Sequence, residues 1–283
     1  MEVVSNSMDK NDVISRCTAA AKEMRKDALT MTLCAGNIGA HVGGGLSMVE
    51  TMAVLYMGIM KYDIDIPSNE LRDRFILSKG HGVLALYTAL NQAGFIPKED
   101  LWTFKMNDSY LHGHPSMNPE IGIEFSSGSL GQGLSLGVGV CLALKRKNNN
   151  TSRTFVLLGD GECDEGSVWE AAASASHYKL DKLVAIIDKN GIQYDGLTSS
   201  ILSMDPLDEK WTAFGWNTFV VDGHDIPQLY DALSRQSDKP LAIIVNTIKG
   251  KGVSFMENDP KWHNSRLTKE QYDQAMKELG CNA

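Results

Sequence analysis

Apolar residues recur at three- and four-residue spacing from Val13 to Thr32, and the same period returns over Leu46–Met60 and His81–Ala93, so three helices are predicted there. Gly131–Lys147 reads as a further helix whose Gly and Ala face allows close packing. A different pattern follows. Thr154–Leu158, Leu183–Ile187, Thr218–Val221 and Leu241–Val245 are short, nearly unbroken apolar runs, as expected of strands buried on both faces. A helical segment, Pro227–Gln236, precedes the last run, and Lys269–Leu279 predicts an amphipathic tail helix beyond a loop holding Gly250, Gly252 and Pro260. Trp211 and Trp216 flank a turn and are expected to serve core or hinge packing. Strands alternating with helices predict an α/β fold, a doubly wound, mostly parallel sheet with helices on both faces. No boundary divides the chain, so residues 1–283 are read as one domain.

At 283 residues and 43% hydrophobic, the chain can bury a large core. A formal net charge of −8 argues against a nucleic-acid partner held by a general basic field. Five cysteines, with no CxxC pair, fit reduced thiols and a cytoplasmic location. The opening MEVVSNSMDKND has no basic-then-apolar signal pattern, and the longest apolar stretch, Leu134–Leu144, is too short and too interrupted to span a bilayer. A soluble chain with no membrane or nucleic-acid partner is expected.

The chemistry concentrates in GDGECDEG, Gly159 to Gly166, and in the Asn190–Gly191 that follows the next apolar run. Asp160 would stand at the carboxyl end of one strand and Asn190 at that of the next, where ligands of open parallel sheets bind. One carboxylate, one amide oxygen and a nearby backbone carbonyl suit Mg2+, completed by water and phosphate oxygens. Gly161 would let backbone approach those phosphates. A lone Gly-Asp-Gly is an ordinary turn; its distance to an Asn-Gly after a second apolar run makes it much rarer. The stretch resembles the thiamine diphosphate motif in its transketolase variant, GDGxxxEG.

Four further segments are similar to transketolase in family order: AHVGGGLS (Ala40–Ser47), DRFILSKGHG (Asp73–Gly82), HGHPSMNPEIGIEFSSGSLGQGLS (His112–Ser135) and KGKGVSFMENDPKWHN (Lys249–Asn264). The resemblance implies that His41, His81 and His114 face the reacting carbon and the substrate hydroxyls. It also implies that Gly128 and Leu130 touch the cofactor rings, that His81 and His263 contact the cofactor, and that Glu165 lies at a subunit interface coupling two sites. Asp160, Asn190 and the Ile192 carbonyl would hold Mg2+, with Asn190 and Gly161 also on thiamine diphosphate. Outside this set, His112, His177 and His224 read as solvated or structural, and Lys249 and Lys251 as a solvated face.

Full transketolases are about twice this long, so the resemblance implies the amino-terminal subunit of a split transketolase. Its partner would be a carboxy-terminal subunit carrying the pyrimidine-binding domain, in a heterotetramer acting on sugar or sugar-phosphate substrates of pentose phosphate type. The expected reaction is transfer of a two-carbon ketol unit from a ketose to an aldose. Ser116, Tyr194 and Asn264 depart from the family pattern, and all three are candidates to line a donor or acceptor channel. They keep open a transketolase for an unusual ketose, sulfonated or branched. A non-catalytic cofactor-binding remnant is the third reading.

Overall fold

A computed structural model describes residues 9–281; the first eight residues, on which part of the amino-terminal reading fell, lie outside them. Five strands form one parallel sheet in the order β1-β2-β3-β5-β4. They are β1 Arg74–Leu77, β2 Thr154–Gly159, β3 Leu183–Lys189, β4 Asn217–Asp222 and β5 Leu241–Asn246. The central register pairs Leu157 with Ile186 and Ile186 with Ile243. The helices are α1 Lys10–Cys34, α2 Val42–Leu46, α3 Val49–Val54, α4 Val83–Gln92, α5 Gln132–Arg146, α6 Gly166–His177, α7 Thr198–Ile201, α8 Leu207–Ala213, α9 Ile226–Leu233 and α10 Lys269–Glu278.

The unbroken apolar runs have a direct cause. Successive strand residues point to opposite faces, and here each face meets its own core. Phe155 and Leu157 of β2 join a cluster with α1, α3, α4 and α9, while Val156 and Leu158 join one with α5, α6 and α8. The parallel, doubly wound sheet read from the sequence is borne out.

Several elements differ from expectation. β1 is a four-residue strand, too short to show a pattern of its own, and is held by Asp73, whose carboxylate accepts the N–H groups of Lys61 and Arg153 at 2.9 and 2.7 Å. The helix expected over 46–60 is broken: α2 ends at Leu46, and α3 runs into a π turn, Leu55–Ile59. The break falls where Ser47 turns its hydroxyl to buried Asp188, 2.7 Å away. The seven-residue α8 was not expected; it carries fully buried Trp211, whose ring meets Trp216 edge-on at 4.9 Å across the predicted turn. The four-residue α7 was likewise not expected, whereas α1, α4, α5, α9 and α10 begin and end within three residues of their expected bounds.

Candidate functional site

The carboxyl ends of β1, β2, β3 and β5 lie side by side, and each passes into a chemically loaded segment: Ser78–His81, Asp160–Glu162, Asn190–Ile192 and Thr247–Lys249. Between them opens a cleft of about 240 Å³. His41, His81, His114, Gly128, Leu130, Asp160, Gly161, Asn190, Ile192 and His263 all line it. Glu165 does not: it is exposed, at the residue preceding α6, with its side chain against Gly131.

Four imidazoles form one wall. The His41 ring lies 5.6, 5.5 and 5.4 Å from those of His81, His114 and His263, and His81 is 5.1 Å from His263. Close packing of the chain makes this possible, since a Cβ on Gly44 would stand 3.2 Å from the His81 ring. Burial, then neighbouring His114 and two lysines, lower His41 to about 4. Burial followed by Lys249 lowers His263 to about 3, and burial with Lys79 puts His81 well below the ordinary range. The wall is therefore neutral near pH 7, able to donate and accept hydrogen bonds. His41 Nδ1 is buried with no hydrogen-bond partner among the described residues, an atom open to a ligand.

A second part of the lining is built of oxygens. The Asp160 carboxylate accepts the N–H of Gly161 at 2.9 Å and of Gly191 at 2.7 Å, which aims it along the turns after β2 and β3. Burial and then Asp188 raise its pKa. Asn190 Oδ1 accepts the Ile192 N–H at 3.1 Å. Among the described residues no group of three or more His, Cys, Asp or Glu is placed to hold a metal. A carboxylate, an amide oxygen and a carbonyl instead make a sparse, hard-oxygen set, which suits Mg2+ that keeps water and phosphate ligands. A cation already stands on this set: Lys249 Nζ donates to the Ile192 carbonyl at 2.8 Å, to that of Gln193 at 3.3 Å and to His263 Nδ1 at 2.9 Å. Lys249 is 1% exposed, so the expectation of a solvated face is overturned for it. Burial, then Lys79, lowers its ammonium to about 8.

Three supporting residues were not singled out from the sequence. Lys79 is paired with Asp188, both buried, beneath the cleft. Glu162 accepts hydrogen bonds from Ser78, Gly131 and Gly159. The signal was present, because Lys79 sits inside SKGHG and Glu162 inside GDGECDEG, but neither spacing says which way a side chain turns. Of the three departures from the family pattern, only Tyr194 lines the cleft, its ring edge-on to His263 at 5.1 Å. Ser116 and Asn264 are exposed and outside it. His112 and His177 are exposed, and His224 is hydrogen-bonded structurally, as expected.

The profile of the family described as transketolase, thiamine diphosphate binding domain, matches residues 18–283. The chain belongs to the transketolase family. Members of this family are transferases, and the domain binds thiamine diphosphate. The chain is 44% identical over 242 residues to an apulose-4-phosphate transketolase subunit of Phocaeicola vulgatus, covering 84% of this chain and 85% of that protein. It is 44% identical over 248 residues to a 6-deoxy-6-sulfo-D-fructose transketolase subunit of Clostridium sp., covering 86% and 90%. Human transketolase is 38% identical over 259 residues, 92% of this chain but 41% of that one. The solved transketolase of Campylobacter jejuni superposes with a TM-score of 0.87 at 28% identity, over 96% of this chain and 43% of that one. This transketolase-family chain thus spans less than half of the full-length transketolases it matches and nearly all of the separate subunits.

Proposed function

We propose that this chain is the amino-terminal subunit of a two-subunit transketolase, transferring a two-carbon ketol unit from a ketose to an aldose. Thiamine diphosphate, when bound, supplies the electron sink for breaking the carbon–carbon bond. Asp160, Asn190 and the Ile192 carbonyl would hold Mg2+, with Gly161, Asn190, His81 and His263 on the cofactor and Gly128 and Leu130 against its rings. His41, His81 and His114, neutral near pH 7, would hydrogen-bond substrate hydroxyls and hold or pass protons at ring nitrogens. The observation carrying this reading is that hard oxygens and neutral imidazoles line one cleft at the carboxyl edge of one sheet.

A partner is part of the proposal. Leu130, Tyr194, Leu197, Ile201 and Leu202 are 37–68% exposed, a concentration of large apolar side chains at and beyond the cleft mouth that favours cover by another chain. That partner would carry the pyrimidine-binding domain, in a heterotetramer with Glu165 at the contact between subunits. No helix among the described residues is long and apolar enough to cross a membrane. Five free cysteines support a cytoplasmic location.

The names of the two 44% identical relatives, together with a tyrosine at the mouth, favour a branched or sulfonated ketose as donor over an ordinary pentose phosphate. The test is affinity capture of the tagged chain from its host, mass spectrometry of what co-purifies, and a ketose panel on the recovered complex. A stoichiometric chain with a pyrimidine-binding domain and two-carbon transfer that depends on both subunits supports the reading. A chain that stays alone with thiamine diphosphate and Mg2+ in excess overturns it.

A further inference from the structure

The Lys249 ammonium has three hydrogens and three acceptors, two backbone carbonyls and His263 Nδ1, and it is buried. An ammonium can make no more bonds than that. One of the three acceptors, the Ile192 carbonyl, is also one of the three oxygens read as metal donors, and this inference rests on that reading. The loop that carries Lys249 is fixed from two sides: the Ile248 N–H donates to His224 Nε2 at 2.9 Å, and the Lys251 carbonyl accepts Arg25 Nε at 2.9 Å. The side chain can therefore move while its backbone stays.

We propose that Lys249 is the resident cation of the metal-free site, competing with a divalent ion for the Ile192 carbonyl until a diphosphate draws the ammonium away. Two cations cannot share one carbonyl in a buried setting without strong repulsion. A metal arriving alone must displace the ammonium from a complete set of acceptors. A diphosphate offers that ammonium new oxygens, so metal and diphosphate each improve the binding of the other. Lys249 thereby disfavours metal without cofactor.

The test uses the full chain and Mn2+ alone, with free Mn2+ followed by electron paramagnetic resonance. Lys249→Met is expected to bind Mn2+ about tenfold more tightly than wild type. Lys251→Met removes the same charge from the same loop without touching the Ile192 carbonyl, and is expected to bind Mn2+ as wild type does. Tightening in K249M alone supports the proposal. Equal tightening in both variants overturns it in favour of a general field effect. Unchanged affinity in K249M, with Asp160→Ala still abolishing binding, overturns the competition but leaves the metal donors standing. Mn2+ binding by D160A equal to wild type sinks both. Because K249M removes a buried, fully bonded group and can fail to fold, a wild-type measurement is paired with it. Acetylation of Lys249 by acetic anhydride, read by mass spectrometry, should rise several-fold on saturation with Mn2+. No rise overturns the proposal independently of any variant.

Discussion

Ser78, just past β1, donates its hydroxyl hydrogen to the carboxylate of Glu162, on the turn after β2. The same carboxylate oxygen accepts the Gly131 N–H at 2.8 Å, and the other accepts that of Gly159 at 3.0 Å. Ser78 Oγ in turn accepts the Gly133 N–H at 3.1 Å. One buried acid thus ties the SKGHG, GSLGQG and GDG segments into a single frame. Glu162→Gln places an amide N–H2 against a backbone donor, leaving a group unsatisfied at about 1–3 kcal/mol. Thermal melting should fall accordingly, and the double variant with Ser78→Ala should lose less than the sum of the singles by about 0.5–3 kcal/mol. Strict additivity would show that the two side chains do not act together.

The pair beneath the cleft responds differently. Lys79 and Asp188 side chains are 1% and 2% exposed and in direct contact. Burial opposes the charge on Asp188, but Lys79 and the hydroxyls of Thr247 and Ser47 outweigh it and hold the carboxyl below its ordinary value. Lys79→Met leaves that carboxylate charged and unpaired, and urea unfolding should show a loss of about 3–5 kcal/mol. Adding Asp188→Asn should recover part of it, because the charge is removed along with its partner. A double variant less stable than K79M would argue against an uncompensated charge as the cause.

His41 makes stability depend on pH in a definite sense. Its folded pKa is about 4, against an ordinary value of 6.5, so the unfolded chain protonates first on acidification. The contribution is complete above pH 6.5 and is lost as pH falls toward 4. The full difference corresponds to about 3 kcal/mol, which solvent reaching this partly buried ring reduces to on the order of 1–2 kcal/mol. His81, His114 and His263 face it and are shifted the same way. His41→Gln should therefore flatten, without abolishing, the fall in melting temperature across that window. An unchanged pH slope would remove His41 from the cause.

How much of this was legible depends on the kind of signal. The strands of the sheet centre announced themselves as apolar runs because both faces are covered, and Asp160 with Asn190 followed from where those runs end. The histidines were found through motif resemblance, since nothing in a lone His tells that its ring will stand about 5 Å from three others. β1 and α8 were invisible because four and seven residues carry too few periods to register. Lys249 was misjudged for a physical reason: a lysine in a Gly-rich loop is ordinarily solvated, and only the fold reveals the carbonyls that receive it. Glu165 could not be placed from its motif alone: GDGECDEG brings it to the residue preceding α6, where it is exposed and outside the cleft.

His224 extends the argument to the base of the Lys249 loop. Its Nε2 accepts the Ile248 N–H at 2.9 Å, so the ring proton must be on Nδ1, where Glu50 receives it at 3.1 Å. Glu50 is held from its other oxygen by Arg25 at 2.7 Å, and Arg25 Nε reaches the Lys251 carbonyl at 2.9 Å. The relay begins and ends on the same loop, on either side of Lys249, so it fixes the backbone from which that side chain reaches the cleft. His224→Ala should leave the Ile248 N–H without a partner, at about 1–3 kcal/mol of local stability. Hydrogen exchange at Ile248 should quicken by about an order of magnitude or more, while amides at the centre of β3 keep their protection. Binding of inorganic pyrophosphate with Mg2+ should weaken modestly, through a looser Lys249 rather than a lost contact. His224→Gln, whose amide oxygen can accept the same N–H, should restore part of both. Exchange at Ile248 that is unaltered in H224A would mean the loop is held by its own turns, and the relay would be packing only.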